Sequence, residues 1–235
     1  MFSDCKCNGR SRVARSSTMT ELTLVIGNKN YSSWSLRPWL AMKQAGLNFS
    51  EVKIPLDSPT KHAELRRYSP SGKVPVLIDG DLKVWESLAI CEYVAEGFAN
   101  HLWPVDRAQR AIARSISAQM HAGFQNLREN MPLDCRSRYP GEGMTPATEA
   151  EIDRIIAIWR ECRQKFGNGG NMLFGNFTIA DAMFAPVVLR FVTYDVKLYS
   201  EAREYAGAIL ALPALQEWVA EACRETETIL HYTSI

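Results

Sequence analysis

Long apolar runs are missing from this chain of 235 residues: no stretch of eighteen is apolar throughout, which excludes a membrane-spanning helix. Charge of either sign is not in excess. Twenty-seven Lys and Arg against 26 Asp and Glu leave +1, with a pI near 7.6, so nothing general argues for nucleic acid as a partner. No C-x-x-C pair occurs among the six cysteines, Cys5, Cys7, Cys91, Cys135, Cys162 and Cys223. Their scatter fits reduced thiols in a cytoplasmic protein better than a disulfide framework, and no metal is expected, even at the close Cys5-Lys-Cys7 pair. An internal repeat is also absent. What the chain does have is 46% apolar and 23% charged residues, enough to bury one large core or two small ones.

The first eighteen residues differ from the rest, with Lys6, Arg10, Arg12 and Arg15 against Asp4 alone. Without them the chain carries 23 bases and 25 acids, a net of −2. They hold no apolar segment of the kind a secretory signal needs, and match an organelle transit peptide only loosely. Residues 1–19 are expected to be a disordered extension, with Met19 an alternative start.

From there the periodicity divides the chain in two. Residues 21–26 (E-L-T-L-V-I) read as a strand, and Gly27-Asn28-Lys29-Asn30 breaks it. Ser35 is placed to cap a helix from about Leu36 to Ala45, with Pro38 in its first turn and Gly46 at its end. Phe49 to Ile54 reads as a second strand and 60–68 as a short charged helix. Val76 to Ile78 and Leu82 to Trp85 flank the Asp79-Gly80-Asp81 turn as a hairpin, and Ser87 opens a helix to about Glu96. The order is β-α-β-α-β-β-α over residues 20–98, an α/β domain. A linker over 99–106 follows, then an all-α domain over 107–235, with helices over roughly 105–130, 147–166, 179–195 and 213–224.

Chemistry concentrates in Ser69 to Ser87, S-P-S-G-K-V-P-V-L-I-D-G-D-L-K-V-W-E-S. Pro75 stands at the entry to a central strand, where proline is poorly tolerated. Either it is an ordinary trans proline, or a cis Val74-Pro75 bond turns the Val74 backbone outward to pair with an extended ligand. Glu86 and Ser87 stand at a helix N-terminus, whose unpaired N–H groups favour a carboxylate. Ser87 either caps its own helix or, with Glu86 taking an amine, holds the headgroup of an α-amino acid. Ser32 and Ser33 lie beside another helix start, where a hydroxyl can donate to an anion such as a thiolate. A free thiol ionises near 8.5, and lowering that by two units takes about 2.7 kcal/mol of preferential thiolate stabilisation.

The element order, S-G-K-V-P-V-L, the Glu86-Ser87 pair and the helical second half resemble the cytosolic glutathione transferases, over about residues 21–230. The family joins a thioredoxin-like domain to a helical one, and Thr178-Ile179-Ala180-Asp181 is similar to its capping box. Ser32-Ser33-Trp34-Ser35-Leu36-Arg37 resembles the S-S-C-x-W-R stretch of the zeta class, the maleylacetoacetate isomerases, with Trp34 in place of the cysteine. Gln125-Asn126-Leu127 is similar to a zeta segment that approaches glutathione.

The resemblance implies glutathione as co-substrate, with Ser32 or Ser33 facing its thiolate. Val74, beside Pro75, would pair with the cysteinyl part, Glu86 and Ser87 with the γ-glutamyl end, and Lys73 and His62 with the glycyl carboxylate, while Trp34 borders the substrate. Met120, Phe124 and Met131 would wall the site of a small electrophilic second substrate. The activity implied is conjugation. Two alternatives stand beside it: isomerisation of a diacid held by Arg128, Arg136 or Arg138, and a non-catalytic protein-binding module. A homodimer is expected, with neither membrane nor nucleic acid as a partner.

Overall fold

The computed structural model describes residues 21–229. The expected extension, Met19 and the Cys5-Lys-Cys7 pair lie outside the described residues. The first half runs β1 (Leu22–Ile26), α1 (Ser33–Gln44), β2 (Phe49–Lys53), α2 (Lys61–Tyr68), β3 (Val76–Asp79), β4 (Leu82–Trp85) and α3 (Ser87–Gly97). Strand β1 is parallel to β2 and antiparallel to β3, and β4 folds back on β3, giving the sheet order β2-β1-β3-β4.

Central strands are covered on both faces, and β1 shows how the alternation of side chains is used. Leu24 and Ile26 enter the main core with α1 and α3, while Val25, between them, packs with Val76, Ile54 and Leu65 under α2. The β3-β4 turn needs a left-handed residue, and Gly80 supplies it at φ 58°.

The second half is helical: α4 (Arg107–Ala122), α5 (Gln125–Asn130), α6 (Pro146–Phe166), α7 (Ile179–Thr193), α8 (Ser200–Leu210) and α9 (Pro213–Ala222). Proline at the first position opens both α6 and α9, where a missing N–H costs no helical bond. Helix α7 is buried almost all round. Its start carries the expected capping box: the Asp181 carboxylate accepts from the N–H of Thr178 at 2.8 Å, its hydroxyl at 2.9 Å and the N–H of Leu173 at 3.1 Å. Trp159 of α6 fills the space beside it, edge-on to Phe184 and Tyr205.

Three expectations need correction. The single helix over 105–130 is two, because Gly123 is extended and Phe124 is left-handed at φ 58°, which ends α4 and redirects α5. Helix α8 was not expected; its buried face is Ala202, Tyr205, Ala206 and Ile209, two of them alanines that add little to an apolar stripe. Helix α1 begins at Ser33, before the expected Leu36, so Pro38 lies inside it rather than in its first turn. Proline there offers no N–H to the carbonyl of Trp34, one turn back.

The two halves meet along α1, which packs against α7 and α9. Trp218 of α9 stands edge-on to Trp39 of α1 and donates its indole N–H to the carbonyl of Lys29 at 2.9 Å. Between the halves, where a linker was expected, Asn100–Leu102 forms a 3-10 turn, and Trp103 donates to Glu92 at 2.9 Å.

Candidate active site

A cleft opens where the start of α1, the residues before β3 and the start of α3 converge. It has two adjoining lobes, and Trp34, Lys73 and Val74 line both. Ser32, Lys61 and His62 complete one lobe, and Pro75, Glu86 and Ser87 the other. The Val74-Pro75 bond is cis.

Helix α1 is capped by Ser32, not by Ser35 as expected. The Ser32 Oγ accepts from the N–H of Ser35 at 3.3 Å and donates to the Ser35 Oγ at 2.7 Å. That second hydroxyl accepts from the N–H of Gly27 at 3.1 Å, so Ser35 closes the loop instead of starting the helix. Ser33 turns toward α7, where its Oγ accepts from Arg190 at 3.4 Å. Of the two candidate serines, Ser32 lines the cleft.

Helix α3 begins differently. Glu86 precedes it at φ 70°, a left-handed conformation that a residue other than glycine rarely adopts, and makes no side-chain cap. Ser87 is the first residue inside the helix, so the reading of Ser87 as cap is corrected. Its hydroxyl is buried, 1% exposed, and has no hydrogen-bond partner. A hydroxyl left so is costly unless something else binds it. The Glu86 side chain is 53% exposed, and the His121 Nε2 on α4 lies 3.6 Å from its Oε2.

What surrounds Trp34 is not readable from local sequence. Arg37, one helical turn along α1, has its guanidinium carbon 4.3 Å from the Trp34 ring centre; that of Arg128 on α5 lies at 5.4 Å, and the His121 ring meets the indole edge-on at 5.3 Å. Burial, then Arg37, hold His121 below its ordinary pKa; Glu86 opposes them and Arg128 adds to the lowering. The spacing of Trp34 and Arg37 was available in the sequence. Which helices close over the pair was not.

Several other expected site residues are engaged within the protein. Met120 and Met131 are fully buried in the core and Phe124 is 7% exposed, so they pack the helical half and present no apolar wall. Helical spacing of Met and Phe marks a core face as readily as a pocket. Asn126 and Leu127 give their N–H groups to Glu151 of α6, and Gln125 donates to Glu129. Arg136 ties Tyr31 to the carbonyls of Glu225 and Glu227, and Arg138 donates to the carbonyl of Ser137. Lys73 donates its backbone N–H to Ser69 at 3.1 Å. No cluster of three or more metal-ligating side chains occurs among the described residues.

Comparison with known proteins decides the family. Residues 31–96 match the glutathione S-transferase N-terminal domain and 145–221 the C-terminal domain. The maleylacetoacetate isomerase of Rattus norvegicus is 31% identical over 204 residues, 83% of this chain and 90% of its own length. The probable maleylacetoacetate isomerase of Vibrio cholerae is 31% identical over 164 residues, 66% and 75% respectively. The chain belongs to the cytosolic glutathione S-transferase family. Among solved structures, a Burkholderia glutathione transferase homolog with bound glutathione has a TM-score of 0.66 at 24% identity, covering 86% of this chain and 98% of its own. The two matched spans leave out 97–144, which carries α4 and α5 and with them His121 and Arg128.

Proposed function

We propose that the chain binds glutathione in this cleft and conjugates its thiolate to a small electrophile. The observation that carries the reading is the start of α3: a buried, unpartnered Ser87 hydroxyl at a helix N-terminus, next to Glu86 held in a left-handed conformation. An α-carboxylate completes the first by accepting from Ser87 and the helix-end N–H groups, and an α-ammonium meets the Glu86 carboxylate. The γ-glutamyl end of glutathione carries both. Val74 supports the cysteinyl part, and Lys73 and His62, at the far lobe, the glycyl carboxylate.

Ser32 then lies by the sulfur. Its proton now goes to the Ser35 Oγ, and rotation about the Cβ–Oγ bond points the same proton into the cleft. Donation there stabilises thiolate over thiol; the thiol proton leaves to solvent, the sulfur attacks the electrophilic carbon and the leaving group departs with its electron pair. Trp34 supplies an apolar face to the acceptor. Titrating the bound thiol by ultraviolet absorbance tests the assignment. Its pKa is expected to rise in Ser32→Ala and stay put in Ser33→Ala, and no change in either removes the serine role.

Isomerisation is the second reading, favoured by the 31% identity to proteins named maleylacetoacetate isomerases. Trp34 in place of the cysteine speaks against it. Of the three arginines considered for a diacid, only Arg128 neighbours the cleft. Assay with maleylacetoacetate decides, absence of turnover ruling it out. A homodimer fits the exposed Leu82 and Trp85 of β4, Phe98 beyond α3 and Ile112 of α4, and sedimentation measures it.

A further inference from the structure

Arg37 is fully buried, yet only its Nε is used, donating to the carbonyl of Met183 at 3.2 Å. Both Nη atoms are buried without a hydrogen-bond partner, and no ion pair among the described residues includes it. Its neighbours add positive charge: Arg128 lies against the same indole, and Arg190 reaches Ser33 on the next turn. Burial first, then Arg190 and Arg128, push the Arg37 pKa well below its ordinary value, with the Cys91 thiol opposing. That thiol is itself pushed up to about 12 and so is uncharged at neutral pH. A guanidinium keeps its proton in a protein, so the position carries a buried charge for which no described residue supplies a counter-ion.

We propose that Arg37, with Arg128 beside it and Trp34 as its cover, forms an anion site between the two domains that takes a carboxylate or an oxyanion of similar size. The paired Nη atoms present the fork that a planar carboxylate matches with two parallel hydrogen bonds. Trp34 separates them from the glutathione cleft and lines both of its lobes, so rotation of one indole joins the two sites. The carboxylate has two sources, a free anion or an acidic group on the electrophile. Only the second rests on the proposed conjugation.

The test begins without glutathione, on the full chain at constant ionic strength. Sodium formate is titrated against sodium gluconate, a carboxylate too bulky for the site, with melting temperature as the readout. Formate is expected to give a saturable rise of about 3 °C or more that gluconate does not. The rise should vanish in Arg37→Met and need several-fold more formate in Arg128→Gln; should Arg37→Met not fold, Arg128→Gln and the wild-type contrast decide. Source is read from turnover of glutathione with 4-chloro-3-nitrobenzoate and with its uncharged amide. A preference of about ten-fold in kcat/KM for the acid, competed away by formate, assigns the carboxylate to the electrophile; equal rates with the formate response intact assign it to a free anion. Equal response to formate and gluconate, together with no preference for the acid, overturns the site and leaves Arg37 held by the indole and water. Because formate is titrated alone, failure of glutathione to bind does not count against this site.

Discussion

Two helix starts face one cleft, and the chain finishes them differently. At α1 the hydroxyls satisfy one another: Ser32 caps the helix, Ser35 accepts from Ser32, and Gly27 donates to Ser35. At α3 the cap position is Glu86 in a left-handed conformation with no cap bond, and the next hydroxyl, Ser87, is buried with nothing to bind. A helix whose first turn the protein completes is stable by itself; one left open inside a concave wall awaits an external acceptor. The contrast separates roles that sequence alone blurs. In the proposed function the start of α3 would hold the ligand, and the start of α1 would act on it by redirecting a proton already committed elsewhere.

Substitutions break this contrast in order of size. Glu86→Gln removes the charge opposite the ligand's ammonium and is expected to weaken glutathione about ten- to a hundred-fold by calorimetry. Ser87→Ala should cost about ten-fold in affinity while leaving the free protein's stability to denaturant unchanged, or raising it by up to about 1 kcal/mol, since an unpaired buried hydroxyl is lost. Ser32→Ala should do the reverse, destabilising the free protein by about 1 kcal/mol through loss of the cap and raising the bound thiol's pKa by about one unit. If Ser87→Ala destabilises the free protein and Ser32→Ala does not, the two starts have been assigned the wrong way round.

The smallest effect comes from His121. Burial holds its folded pKa below the unfolded value, so the neutral ring's contribution to stability is complete above about 6.5 and is lost as pH falls through that value toward the lowered one. Protonated, the ring pairs with Glu86 and competes with the ligand's ammonium. Glutathione affinity is therefore expected to drop a few-fold as pH falls through the lowered pKa of His121 in the folded protein, and His121→Asn to flatten that dependence in calorimetric titrations.

Much of this arrangement was legible residue by residue. The length and β-branched content of E-L-T-L-V-I, the Asp79-Gly80 turn and Thr178-x-x-Asp181 are local signals, and each element stands where they put it. Choosing the cap from Ser32, Ser33 and Ser35 was beyond local reading, because three hydroxyls within four residues have equal propensity and the choice depends on Gly27 approaching from β1. Helix α8 escaped because its alanines give a weak apolar stripe. Met120 and Met131 carry the same pattern whether they wall a pocket or fill a core, and only the packing of α4 against α7 and of α5 against α6 separates the two. Arg37 is the extreme case: its neighbours at Trp34 come from two helices distant in sequence, α4 and α5, and its charge reads as a surface residue until the domains close over it.

Recognition of the γ-glutamyl headgroup by the start of α3 is tested by calorimetric titration of the wild-type chain with glutathione and with cysteinylglycine, which keeps the thiol and the glycyl carboxylate but lacks that headgroup. Saturable glutathione binding is expected, with a loss of about a hundred-fold or more for cysteinylglycine. Equal affinity for the two, or no heat with glutathione at millimolar concentration, would contradict it.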